Sequence, residues 1–414
     1  FALDLLDGSV EYLSDKINDN IGHEVVFHDL FIDNTDLLWV SSNFGAISIH
    51  FDSQDFEILM SGGDILCSSD YCSMRGVTQD SLGTIYCSFY NSICAFDGKT
   101  NKRQDLGFQI KDNPYALLWH DGKLFSGSGL VVDLSSNTLI RDLELEEEGV
   151  LTLFAKDSLY LFNGGSVFLW EEGISQYKKL STFDKIQFTY VVADHGSQII
   201  YLGTKSKGIW IYNPSTGALV ESGLNKANSS FSNRRINVIA TSLDAELFVG
   251  TDKGIFHFKG DKLIRVFDSK EQGLPNDFIN GLIVEEDRYL WFSTDNGLGG
   301  IDLETRRPFG INQNMIPFSE FNRISFAALK DGSFVFGGLN GMVRFHPSKV
   351  RNKSEALPKA QIMITKIQKY NGRSDSLEIF NEQFVSGDTL RVAYFDAFFQ
   401  IYFTSSAYEN PKKN

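Results

Sequence analysis

One pattern recurs eight times along the chain. An apolar strand and a turn with aspartate are followed by a second strand, in which small residues follow one large apolar residue that we call the anchor. A glycine turn and another apolar strand complete the pattern. The anchors are Trp39, Tyr86, Phe125, Tyr160, Tyr201, Phe248, Trp291 and Val335. Their mean spacing is about 42 residues, which is the length of a four-stranded propeller blade. The repeat therefore predicts an all-β chain whose main domain is a β-propeller of four-stranded blades.

Glycines and apolar runs lie where a blade requires them. Glycine follows four of the anchors by six residues, at Gly45, Gly254, Gly297 and Gly341. A short hairpin between the second and third strands needs a positive φ, which glycine adopts without steric cost. The first strand of a unit is nearly continuously apolar, as at 188–193, which is typical of a strand that lines a packed centre.

The repeats leave the blade count at seven or eight. Eight blades follow from counting the repeat units, and outer strands expected within 1–13 could complete the last blade and hide its edge. Seven follow if the first unit belongs to an upstream propeller. In this interpretation residues 1–348 form the propeller and the polar segment 349–358 is a linker. Residues 359–414, with strands expected at 360–367, 388–394 and 398–403, then begin a β-sandwich.

Charge and composition exclude several classes of function. The chain has 53 acidic and 38 basic residues and a formal net charge of −15, which argues against contact with nucleic acid or an anionic membrane surface. There is no apolar run long enough for a membrane segment. The seven histidines are scattered and no zinc-type spacing exists, so no metal and no cofactor are expected.

The four cysteines form two pairs. Cys67 and Cys72 share one loop and could form a disulfide in an oxidising compartment. Cys87 and Cys94 flank a hairpin symmetrically, so they are expected to face each other across two strands as packed thiols, because a cross-strand disulfide is strained.

Three stretches of the chain resemble a known family. Residues 247–255 (LFVGTDKGI) and 290–298 (LWFSTDNGL) resemble the LWIGT-x-x-GL signature of regulator-propeller repeats, and 336–347 resembles the final blade of that family. Residues 390–396 and 401–411 are similar to the opening of the three-tyrosine domain that follows. This order resembles the periplasmic sensor region of hybrid two-component systems, and the resemblance covers essentially the whole chain. The chain differs in having about one propeller's worth of repeats where the family has two.

The resemblance implies a ligand-sensing domain that is not itself an enzyme. It implies a periplasmic location, an oligosaccharide ligand, a homodimer whose geometry controls a downstream histidine kinase, and regulation of polysaccharide-utilisation genes. The alternative is a propeller that serves as a protein-interaction scaffold without a small-molecule ligand. Enzyme chemistry is disfavoured because no nucleophile elbow occurs at a strand-to-helix turn, and 53 acidic residues make chance carboxylate pairs certain.

Candidate ligand residues lie on the face formed by the turns between second and third strands and by the loops that lead into first strands. A basic group from adjacent units could bind the carboxylate or sulfate of an acidic sugar, although a solvated rim that neutralises nearby acids is the alternative. Aromatic rings could pack on sugar C–H faces. The predicted ligand residues are Arg234, Arg235, Lys205, Lys207, Tyr115, Asn276, Asn296 and Trp210.

Overall fold

The structure is a computed structural model. It describes residues 2–3, 10–11, 14, 17–18, 23–32, 38–49, 56–60, 73–90, 92–100, 103–104, 106, 113–141, 143, 145, 149–154, 158–194, 196–227, 231–311, 316, 318–356, 362–380 and 393–405. The chain divides into two compact units. One is Gln54–Ser354, and the other combines Phe1–Ser53 with Glu355–Asn414.

Within its described residues, the unit Gln54–Ser354 consists of seven four-stranded antiparallel sheets, here called blades 1 to 7. From the first strand to the fourth, blade 1 is Gly76–Gln79, Ile85–Ser88, Ile93–Phe96 and Arg103–Gln104; blade 2 is Leu117–His120, Lys123–Ser126, Leu130–Asp133 and Thr138–Arg141; and blade 3 is Val150–Phe154, Ser158–Asn163, Ser166–Glu171 and Gln176–Thr182. In the same order, blade 4 is Phe188–Asp194, Ile199–Thr204, Ile209–Asn213 and Ala218–Glu221, and blade 5 is Ile236–Thr241, Glu246–Thr251, Gly254–Lys259 and Lys262–Phe267. Blade 6 is Ile279–Glu285, Tyr289–Thr294, Gly297–Asp302 and Arg307–Gly310, and blade 7 is Phe321–Ala328, Phe334–Gly338, Gly341–Phe345 and Phe56–Leu59.

The first strands of the blades form a closed ring. Each lies beside the first strand of the next blade, and that of blade 7 lies beside that of blade 1. The anchors of the repeat fill the space between neighbouring sheets. Trp291 of blade 6 is 0% exposed, and its ring centroid lies 5.1 Å from that of Phe309 in the same blade and 5.2 Å from that of Phe345 in blade 7. The predicted propeller of four-stranded blades is confirmed.

The last blade is completed by a strand from the start of this unit. Phe56–Leu59 pairs antiparallel with the third strand of blade 7, with Phe56 opposite Phe345 and Leu59 opposite Met342. The expectation that strands within 1–13 would fill this place is wrong, because Ala2–Leu3 and Val10–Glu11 pair with each other instead. The ring therefore has seven blades, and its first and last strands in sequence share one sheet.

The first repeat unit, which contains Trp39, is not one of the seven blades. Its strands Phe27–Ile32, Leu38–Ser42 and Gly45–Ile49 form a three-stranded sheet in the other compact unit. The propeller unit accordingly begins at Gln54, which differs from the expected start at residue 1. That other unit also contains a sheet in which Ile362–Asn371 lies between Ser376–Phe380 and Asp396–Ser405. The strand expected at 388–394 lies largely outside the described residues.

The segment expected to be a linker is helical through Ala356. Besides a 3-10 turn at Glu172–Ile174 and helical residues at 14 and 17–18, the helices within the described residues are Leu224–Ala227 and Pro347–Ala356. Proline suits the first position of a helix because its φ is already helical and its missing N–H would have no partner there. The composition of the segment is polar, yet Val350 is buried in the hydrophobic cluster of blades 6 and 7.

Local predictions at glycine and cysteine have clear outcomes. Gly254, Gly297 and Gly341 have φ angles of 99°, 114° and 109°, so the glycine turns are confirmed. Cys87 and Cys94 lie directly opposite each other in blade 1, both buried and both thiols. Cys67 and Cys72 lie outside the described residues.

Candidate functional site

The turns between second and third strands and the connections between blades lie at the same end of the ring, which we call the loop face. Seven of the eight predicted ligand residues lie in these turns and connections, and Trp210 lies at the start of the third strand of blade 4. All eight are within the part of the chain that the structure describes.

A cavity of about 430 Å³ opens on the loop face between blades 3 and 4. Its walls are residues 164–165, 182–187 and 204–207. Three lysines line it, the predicted Lys205 and Lys207 together with Lys185, against the single carboxylate of Asp184. All three lysines are exposed, and none forms an ion pair within the described residues. This cavity, called the lysine pocket below, therefore carries excess positive charge in an acidic protein.

Backbone hydrogen bonds fix the walls of the lysine pocket. The Phe183 and Phe188 N–H groups donate to the carbonyl oxygens of Gly165 and Gly164 at 2.8 and 2.9 Å. The Lys205 N–H donates to the Gln187 carbonyl oxygen at 3.0 Å. These hydrogen bonds hold the three segments that form the walls in fixed positions relative to one another.

Trp210 supports the lysine turn from behind. Its half-buried ring packs against the hydrophobic cluster of blades 3 and 4, and its indole N–H donates to the Lys207 carbonyl oxygen at 3.1 Å. The Thr204 hydroxyl accepts from the Lys207 N–H at 2.9 Å and donates to the Gly208 carbonyl oxygen at 2.8 Å. Trp210 therefore positions the turn that carries Lys207.

The connection that carries Arg234 and Arg235 is fixed to the same turn. Asn225, in the helix Leu224–Ala227, is 3% exposed. Its side-chain nitrogen donates to the Lys207 and Ile209 carbonyl oxygens at 3.2 and 3.1 Å. Its side-chain oxygen accepts from the Ile209 N–H at 2.9 Å. Both arginines are half-buried. Asn225 and the two arginines thus belong to one connection between blades 4 and 5, and it is Asn225 that contacts the turn carrying Lys207.

Tyr115 belongs to a different cluster that the sequence did not reveal. The Arg75 guanidinium carbon lies 5.0 Å from the ring centroid of Tyr115 and 4.8 Å from that of Tyr90. Tyr115 is 3% exposed, whereas Tyr90 is 51% exposed. Both contacts are cation–π pairs that hold the arginine in place. Arg75 directly precedes the first strand of blade 1, as Arg235 directly precedes the first strand of blade 5. This shared position in the repeat could have identified Arg75 as a candidate from the sequence.

The two predicted asparagines of blade 6 have local roles. The Asn276 side-chain oxygen accepts from the Phe278 N–H at 2.7 Å, which closes a turn before the first strand. The Asn296 backbone N–H donates to the Thr294 hydroxyl at 3.0 Å, and its side chain is exposed. The structure therefore does not join them to the lysine pocket.

A second cavity, of about 390 Å³, lies at the opposite end of the ring between blades 7 and 1. Its charged residues are Asp97, Lys99, Lys330 and Asp331, so they balance. Hydrogen bonds from the Thr100 backbone and hydroxyl hold the pKa of Asp97 below its usual range. This cavity lacks the charge preference of the lysine pocket.

Neither a metal cluster nor a membrane helix occurs in the described residues. In the ranges given above, no group of three or more His, Cys, Asp and Glu side chains is placed to hold a metal ion. No helix among those same ranges has the length and apolarity needed to cross a membrane.

Comparisons with known proteins give a consistent picture of the fold. No family model matches the chain. "Histidine kinase P4" of Formosa agariphila is 21% identical to this chain over an alignment of 416 residues. The alignment covers 86% of this chain and 29% of that protein. The chain thus spans less than a third of the kinase that it matches.

Two solved structures from B. thetaiotaomicron are similar. The extracellular domain of the hybrid two-component system BT3049 superposes with a TM-score of 0.64 at 20% identity, over 88% of this chain and 50% of that one. The extracellular domain of the one-component system BT4673 gives 0.55 at 16% identity, over 86% and 50%. The chain spans half of each solved chain. The protein has the fold of the extracellular domains of these two bacterial systems.

Proposed function

We propose that this chain is the ligand-sensing part of a hybrid two-component sensor and that it recognises an acidic glycan fragment on its loop face. The observation that carries the proposal is the lysine pocket. Three exposed lysines without ion pairs among the described residues face one carboxylate there, in a protein with a net charge of −15. Positive charge that is not compensated by nearby carboxylates attracts anions, so the pocket favours an anionic ligand such as a uronate or a sulfated sugar.

Two further features support this proposal. Arg234 and Arg235 lie on the connection that Asn225 fixes to the lysine turn, so a ligand larger than one sugar could contact both basic groups. Arg75 is held between two tyrosines on the same face, and Tyr90 offers an exposed ring on which a sugar could pack. None of these features requires a catalytic group, and the chain is proposed not to be an enzyme.

Signalling through this domain would require two arrangements that the glycan distinguishes. A ligand shifts an equilibrium only by its difference in affinity for the two states. We propose that those states are two geometries of a homodimer in the bacterial periplasm, which a downstream kinase converts into control of polysaccharide-utilisation genes. Analytical ultracentrifugation with and without an active oligosaccharide tests the dimer.

A protein-interaction scaffold is the competing function, and exposed apolar side chains are the observation that bears on it. Leu82 and Leu243 are 88% and 93% exposed in turns at the end of the ring opposite the loop face. They belong to blades 1 and 5, which are not neighbours in the ring. Two isolated leucines do not make a continuous patch at that end of the ring. Other exposed apolar side chains, among them Phe31 and Phe403 at 65% and 67%, belong to the other compact unit and leave the scaffold as the alternative function.

The test is a thermal-shift screen against uronate, sulfated and neutral oligosaccharides. We expect stabilisation by acidic sugars only, and a probe at 100 times its dissociation constant should add about 2.7 kcal/mol. A Lys205→Gln/Lys207→Gln variant should lose this shift. Lys262→Gln is the matched control, because Lys262 is exposed at the start of the fourth strand of blade 5, at the opposite end of the ring. Equal loss in the control, or no shift with any sugar, would contradict the proposal.

A further inference from the structure

The lysine pocket receives positive charge from two separate parts of its wall. Lys185 lies in the segment 182–187, which leads from blade 3 into blade 4. Lys205 and Lys207 lie in the turn between the second and third strands of blade 4. Because these two segments line one cavity of about 430 Å³, a group bound there has lysines on more than one side.

The protein itself fixes the distance between these segments. Residues 183–188 form an arch, and backbone hydrogen bonds hold both of its ends to the turn between the second and third strands of blade 3. A Cβ atom on Gly165 would lie 2.2 Å from the Phe183 carbonyl oxygen, so glycine is needed for the arch to sit this close. The Lys205 N–H donates to the Gln187 carbonyl oxygen at 3.0 Å, which holds the lysine turn against the same arch. The cavity between the lysines therefore has a set width.

The donors that line the cavity are ammonium and hydroxyl groups. Three lysines stand against the single carboxylate of Asp184, which leaves an excess of two positive charges. The side chains of Thr182 and Ser206 add two hydroxyls, and both residues are exposed. Among the described residues that form the walls there is no arginine. The guanidinium of arginine is a planar fork that matches the two oxygens of a carboxylate, whereas an ammonium group acts as a point charge.

A tetrahedral oxyanion matches point charges on two walls better than a carboxylate does. A sulfate or phosphate ester presents three terminal oxygens in different directions, and each oxygen can accept from a separate ammonium group. The two oxygens of a carboxylate lie in one plane, so a carboxylate gains less from a third ammonium group on another wall.

We infer that the lysine pocket binds the tetrahedral oxyanion of a sugar ester and that Lys185 supplies the charge that distinguishes this ester from a uronate. The inference rests on the proposed glycan function and narrows it from acidic sugars in general to sulfated or phosphorylated sugars. The two esters share one binding chemistry, and the experiment below separates them.

Lys185 can be replaced without disturbing its turn. Its φ angle is 63°, in the left-handed region that asparagine adopts more readily than lysine. Lys185→Asn therefore removes the charge and preserves the backbone, whereas Lys185→Arg preserves the charge. Arg306→Asn is the matched control, because Arg306 is an exposed basic residue with a φ of 59°. It lies in the turn between the third and fourth strands of blade 6, at the end of the ring opposite the pocket.

Binding is measured by calorimetry at one fixed ionic strength with four sugars that share a ring and differ at C6. These are galactose 6-sulfate, galactose 6-phosphate, galacturonate and galactose. We expect at least one ester to bind the wild type about fivefold more tightly than galacturonate, which is the upper end of what one exposed ion pair contributes. Galactose should bind most weakly of the four.

The variants test which residue creates this preference. Lys185→Asn should weaken binding of the preferred ester and bring its affinity level with that of galacturonate. Lys185→Arg should retain the preference, and Arg306→Asn should match the wild type for all four sugars. The relative affinities of the sulfate and phosphate esters show which of the two the pocket favours.

Each other outcome counts against a stated claim. Galacturonate that binds as tightly as both esters would overturn the inference and leave the proposed glycan function intact. The same holds if the preference for an ester persists in Lys185→Asn, or if Arg306→Asn abolishes it as well. If none of the four sugars binds but acidic oligosaccharides stabilise the protein in the thermal-shift screen, the inference alone fails. If neither assay detects an acidic sugar, both claims fail.

Discussion

A buried charge cluster joins the helix Pro347–Ala356 to blade 6. Glu285 ends the first strand of that blade; one of its carboxylate oxygens accepts from the Trp291 indole N–H at 2.7 Å, and the other forms an ion pair with Arg351. The side chains of Glu285 and Arg351 are 11% and 15% exposed. The Arg351 guanidinium carbon also lies 4.3 Å from the ring centroid of Tyr289.

We expect Arg351→Met to destabilise the propeller by about 3 kcal/mol. Methionine keeps most of the apolar stem but removes the charge, which leaves the Glu285 carboxylate buried with only the Trp291 hydrogen bond. Breaking a buried ion pair in this way typically costs about 3–5 kcal/mol. The remaining indole hydrogen bond places our expectation at the lower end of that range.

The double variant Glu285→Gln/Arg351→Met separates charge from packing. It removes both charges, and the glutamine oxygen can still accept from Trp291, so the loss should shrink to about 1 kcal/mol. Urea unfolding followed by tryptophan fluorescence measures all three proteins. If the double variant is as unstable as Arg351→Met, lost packing rather than an uncompensated charge is the cause, and the reasoning fails.

Two further predictions concern a turn and a titrating side chain. Gly254→Ala should lower the unfolding free energy by at least about 2 kcal/mol, because the φ angle of Gly254 is 99° and the added methyl would overlap the Phe267 carbonyl oxygen. Gly173 has open space around it, so Gly173→Ala should have little effect in the same urea assay. Burial lowers the pKa of the His257 imidazole despite its hydrogen bond with Glu246. As the pH falls, the imidazole is therefore protonated in the unfolded chain before it is protonated in the folded one, and the unfolding free energy should fall as the pH drops below about 6.5. His257→Gln should flatten this dependence in urea midpoints measured from about pH 7.5 to about pH 5.5, and identical profiles would refute the assignment.

Much of the fold follows from local sequence pattern. The second strand of every blade contains its predicted anchor, and the glycine turns have the positive φ that their spacing predicted. Both signals are local, because an aromatic anchor and a glycine turn act within one hairpin. The identity of the closing strand is not local: Phe56–Leu59 pairs with residues almost at the other end of the propeller. Nothing in a four-residue apolar strand specifies which distant edge it completes.

The candidate site was predictable only in part. The basic residues at 205, 207, 234 and 235 stood out because they are clustered in an acidic chain. Lys185 and Arg75 did not stand out, since their place beside Lys205 and Tyr115 depends on how neighbouring blades meet. Trp210 and Asn276 have structural roles that side-chain type alone does not reveal.

The sequence by itself determined the repeat, the blade as the unit of structure and the face on which the loops gather, because these depend on interactions between residues close in the chain. Only the tertiary structure decided that the ring has seven blades, that the polar segment after it is a helix, and that Lys185 lines the same cavity as Lys205 and Lys207. Those outcomes depend on contacts between distant residues, whose geometry a local pattern does not contain.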